Sequence, residues 1–92
     1  RDFKKYDIWT DSMELVDAIY TFLEAFRTTK NITVFLDKKS AVSIPSNIAE
    51  GASQNSEKDF TRFLEIALGS AFELETQLII ASKIKYISKR NL

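Results

Sequence analysis

Ser43-Ile44-Pro45-Ser46-Asn47-Ile48-Ala49-Glu50-Gly51 is the stretch whose reading decides the fold. It holds the only proline and one of the two glycines in 92 residues, and long amphipathic segments flank it on both sides. With so little glycine and proline and 45% hydrophobic residues, the chain favours long helices over a turn-rich sheet. Glycine commonly closes a helix because it has no side chain to clash at positive φ, whereas proline removes a donor and disturbs the preceding turn. The expectation is a helix over 37–50 that bends or restarts at Pro45 and is capped by Gly51, with Ala41, Ile44 and Ile48 on its packed face.

Toward the N-terminus, Arg27-Thr28-Thr29-Lys30 is loop-like and Ile32-Thr33-Val34-Phe35 has strand-like composition. A lone strand has nothing to pair with, so residues 27–36 read as a connection. Before it, residues 8–26 are strongly helical. Trp9, Met13, Val16, Tyr20 and Leu23 form a core stripe, and Ile8, Leu15, Ile19, Phe22 and Phe26 form a second stripe. Two stripes are more than one partner helix requires. Arg1–Asp7 is a polar lead-in with Phe3 and Tyr6 as anchors.

Toward the C-terminus, Ser56 reads as an N-cap, with Glu57 and Asp59 in a first turn that favours negative charge. A helix over 57–84 follows. Phe60, Phe63, Leu64, Ala67, Ala71, Leu74, Leu78 and Ala81 make its core stripe, and Leu68, Phe72, Ile79 and Tyr86 a second one. Gly69 in mid-helix predicts close backbone contact with a neighbour. The whole is expected to be one domain, residues 1–92. Its architecture is all-α, an antiparallel up-down-up bundle whose fourth helix is implied by the apolar surplus and lies outside this chain.

Thirteen basic residues balance thirteen acidic ones, so only charge placement could select a nucleic acid. The end of the first helix, the start of the second and the end of the third share one pole in such a bundle. Arg27, Lys30, Lys38, Lys39, Lys83, Lys85, Lys89 and Arg90 all fall there, with Asp37 the only acid among them. Asp2, Asp7, Asp11, Glu50, Glu57 and Asp59 fall at the other pole, partly offset by Arg1, Lys4, Lys5 and Lys58. The basic set is the candidate nucleic-acid site.

Catalysis has few candidate groups. Without cysteine or histidine there is no thiolate, no zinc-thiolate set and no neutral-pH proton shuttle. Ser43 and Ser46 have no histidine as base, and Glu50 with Glu73 lacks the histidines of a di-metal bundle site. No enzyme activity, cofactor or metal is expected. Ser43, Asn47, Glu50, Ser70, Glu73 and Gln77 read instead as a structural polar network that fixes helix register. No apolar run approaches transmembrane length and no signal pattern opens the chain, so a cytoplasmic protein without a membrane partner is expected.

Trp9 in its opening helix, the nine-residue stretch at 43–51, Phe63-Leu64-Glu65-Ile66-Ala67-Leu68-Gly69-Ser70 and Glu73-Leu74-Glu75-Thr76-Gln77-Leu78 together resemble the four-helix bundle protein family. These are also called ribosomal RNA intervening-sequence proteins, some being encoded inside insertions in bacterial large-subunit ribosomal RNA genes. The family is similar to accessory proteins of diversity-generating retroelements, which assemble as pentamers and bind nucleic acid. The resemblance implies a homo-oligomer, with a pentamer as its form, and RNA or DNA as partner. Arg27-Thr28-Thr29-Lys30 replaces the proline and glutamate usual after the first helix, and Lys38-Lys39 stands where the family has a basic pair of arginines. A lysine is a point charge rather than a planar fork, so bidentate phosphate contacts are not expected of that pair. The leading expectation is a non-enzymatic, self-associating scaffold that binds nucleic acid through the basic pole. The alternative is a protein–protein interaction module.

Overall fold

A computed structural model describes residues 1–25 and 38–90, with residues 84–90 described as helix backbone. Among the described residues a 3-10 helix, Phe3–Lys5, precedes three α-helices and there is no strand. These are α1 (Asp7–Ala25), α2 (Lys38–Ala52) and α3 (Glu57–Arg90). The connection expected over 27–36, together with Phe26, Arg27, Lys30 and Asp37, lies outside the described residues.

The short α2 is the middle of the structure. It packs along α3 on one side and along α1 on the other, while α1 and α3 make no comparable direct packing. Ala41, Ile44, Ile48 and Ala52 of α2 are buried, as are Ile19 and Leu23 of α1 and Ala67, Leu74 and Ala81 of α3. Small residues at the crossing let three backbones converge on one thin layer of larger side chains. Ser56 caps α3 as its sequence predicts, its hydroxyl accepting the Asp59 N–H at 3.1 Å. Phe3 meets Trp9 edge to face and Tyr6 stacks on Phe60, so the lead-in is anchored as expected.

Four local expectations are corrected. Pro45 does not restart α2, which runs as one element through it from Lys38 to Ala52. The proline is itself buried in the packing, and its missing N–H leaves only the Ala41 carbonyl without the usual helical donor. Gly51 is not a left-handed cap, since no described glycine has positive φ. It is a packed helical residue whose Cβ would stand 2.8 Å from the Phe63 Cβ and 3.3 Å from the Phe60 carbonyl. Gly69 shows the reverse, with nothing within 4 Å of where its Cβ would lie. It weakens α3 by about 1 kcal/mol relative to alanine, and no contact among the described residues requires it. Further, α3 continues to Arg90 rather than ending near 84.

The second stripe of α3 is uncovered at Leu68, Phe72 and Ile79, whereas in α1 Ile19 is buried, Leu15 and Phe22 pack against the core, and Ile8 is open. Ile8, Leu68, Phe72 and Ile79 are 53%, 56%, 60% and 50% exposed, and Met13 and Tyr20 of the first stripe are also exposed. An all-helical architecture is established, whereas a four-helix arrangement and the fourth helix are not seen.

Candidate functional site

Two contacts set how α2 and α3 align. Gly51 meets Phe63, and Ser43 accepts from Ser70 at 2.9 Å, so the helices run antiparallel with one residue matched to one. Stepping five residues back from Ser43 puts Lys38 level with about residue 75 of α3. Lys83 then stands roughly 12 Å further along the axis at 1.5 Å per residue. The basic candidates are thus staggered along one direction rather than gathered at one point. Lys38, Lys39 and Lys83 are exposed, and the Lys38 ammonium lies 5.0 Å from the Tyr20 ring centre. Lys85, Lys89 and Arg90 fall in the last turns of α3, and the placement of Arg27 and Lys30 lies outside the described residues.

The opposite end is internally paired. Arg1 donates to the Glu57 carboxylate and, at 2.9 Å, to the Gln54 carbonyl, and its guanidinium covers the Phe60 ring at 4.3 Å. Lys5 stands 3.9 Å from the Asp2 carboxylate. The sequence showed Arg1 only as a counter-charge. Its clasp joins residues more than fifty positions apart, so no local signal could have found it.

The expected polar network divides. Asn47 Nδ2 donates to both the carbonyl and the hydroxyl of Ser43, each at 2.8 Å, and Ser70 donates to the same hydroxyl. These three residues form one half-buried node across the α2–α3 contact. Glu73 and Gln77 make a separate pair within α3, 3.4 Å apart and exposed. Glu50 is exposed, and its carbonyl accepts from Ser53 and Gln54 at the end of α2. The Ser70–Ser43 bond of the node couples two helices.

Two open apolar grooves flank α2. One, about 430 Å³, lies between α1 and α3, with Ile44 and Ile48 as its floor and Ile8, Asp11, Leu64 and Leu68 on its walls. The other, about 390 Å³, lies between α1 and α2 and is lined by Phe3, Trp9, Met13, Val16, Val42, Pro45, Ser46 and Ala49. Sequence periodicity marked most of these side chains as core. It could not show which of them a neighbouring helix would leave open.

Among the described residues no helix is long and apolar enough to cross a membrane. A family model described as 23S rRNA-intervening sequence protein matches residues 4–92. No curated protein matches the sequence.

Proposed function

This chain belongs to the 23S rRNA-intervening sequence protein family, and from that premise we propose that it is a non-enzymatic helical scaffold that self-associates and binds RNA or DNA through its basic end. The observation that carries this reading is the exposure of α3 on both flanks. Leu68, Phe72 and Ile79 are open on one side, Ile66 and Ile80 on the other. A lone chain seldom leaves that much apolar surface to water, and a second copy would bury it. Lys38, Lys39 and Lys83 are exposed at one end and offer ammonium groups to phosphates.

The test is sedimentation of the chain over a wide concentration range together with RNA and DNA binding at several salt concentrations. Association with concentration and affinity falling steeply with salt are expected. A chain that stays monomeric at every concentration would remove the scaffold reading. Self-association without nucleic-acid binding at low salt would favour an interaction module, the reading that the apolar grooves alone support.

A further inference from the structure

Two surfaces of this protein are covered by no other element among the described residues, and they match each other. The first is the face of α3 around Gly69. At about 100° per residue Ile66, Gly69 and Glu73 share one exposed face, turned away from the groove between α1 and α3. Ile66 is 44% exposed beside a glycine whose Cβ position meets nothing within 4 Å. Such a pair offers a projecting side chain next to a place where another backbone can come close. Among the described residues Glu73 takes part in no ion pair. The second surface is the groove between α1 and α2, whose walls include Trp9, Met13, Val42 and Pro45; Lys38 and Lys39 are exposed in the turn of α2 that precedes Val42.

We propose that the Gly69 face of one copy docks in the α1–α2 groove of the next, an assignment that rests on the self-association reading and names its surfaces. The heights agree. By the Ser43–Ser70 match, Ile66 lies level with residue 47, beside the groove walls at Pro45, Ser46 and Ala49. Glu73 lies level with residue 40, within one turn of Lys38 and Lys39. Copies repeated side by side about an axis along the helices keep these heights. Ile66 then enters the groove, Gly69 admits the approach of α2, and the Glu73 carboxylate faces the Lys38 ammonium group. Because the paired surfaces differ, the contact is head-to-tail and is satisfied throughout only in a closed ring or a filament.

Blocking each surface separately tests this. Gly69→Leu fills the close approach while favouring the helix, and Val42→Glu places a charge in the groove at a position already 40% exposed. Each variant alone should keep its helical circular dichroism and associate at least about tenfold more weakly. Mixed in equal amounts they should form a one-to-one pair, since each keeps the surface the other lacks. Glu73→Lys should weaken association, and Lys38→Glu with Lys39→Glu in the same chain should restore it. Unaltered association of the single variants, or a mixture as weak as its components, would overturn the docking and leave self-association standing. A wild-type chain that never associates would overturn both.

Discussion

Gly51 and Phe63 bring α2 and α3 so close that a Cβ on residue 51 would stand 2.8 Å from the Phe63 Cβ. The obstructing atom belongs to the root of the side chain, which cannot rotate away. Overpacking of this kind typically costs 1–3 kcal/mol and outweighs the helix propensity gained by replacing glycine. Gly51→Ala should therefore lower stability in urea denaturation by about 1–2 kcal/mol. Gly69→Ala, with open space around it, should raise the stability of the unassociated chain by up to about 1 kcal/mol. Equal effects at the two positions would mean that α2 and α3 do not meet at Gly51.

The Ser43 hydroxyl receives both Asn47 and Ser70, so the three residues should act as one unit. Asn47→Ala is expected to cost about 1–3 kcal/mol by leaving half-buried groups unpaired. A double-mutant cycle between Ser43→Ala and Ser70→Ala should show a coupling of at least about 0.5 kcal/mol. Strictly additive losses would show that the hydroxyls do not hold the helices together. Loss of ligand binding with unchanged stability in Asn47→Ala would give the node a functional rather than a structural role.

Leu74 and Phe72 lie two residues apart on α3, one 2% exposed and the other 60%. Leu74→Ala should cost about 2–5 kcal/mol, because it removes packed atoms and leaves a cavity. Phe72→Gln should change the stability of the unassociated chain by less than about 1 kcal/mol. It should also reduce the binding of a hydrophobic dye. A large loss of stability at Phe72 would show that a neighbour within the chain covers it.

For nucleic-acid binding, the logarithm of affinity should fall against the logarithm of salt concentration with a slope of about −0.7 to −0.9 per phosphate neutralised. Replacing Lys38, Lys39, Lys83 and Lys85 with glutamine should flatten that slope. Replacing Lys4, Lys5 and Lys58 should not. Equal losses from both sets would show diffuse attraction rather than a site.

The sequence by itself determined the helices. The Ser56 cap and the buried α2 face of Ala41, Ile44 and Ile48 read correctly, because each depends on neighbours within a turn or two, whereas Met13 and Tyr20 of the α1 core stripe are exposed. The glycines did not. Sequence gives a glycine's permissiveness but not its use, and use depended on which helix passes within 3 Å of residue 51 and on none passing residue 69. Periodicity likewise marked Leu68 and Phe72 as apolar without deciding whether anything covers them, since covering is a property of the packed neighbour. Ser43, Asn47 and Ser70 were placed in one network with Glu50, Glu73 and Gln77. The alignment of α2 on α3 is what joins Ser43 to Ser70, because a 2.9 Å hydroxyl contact across 27 residues of chain exists in three dimensions alone.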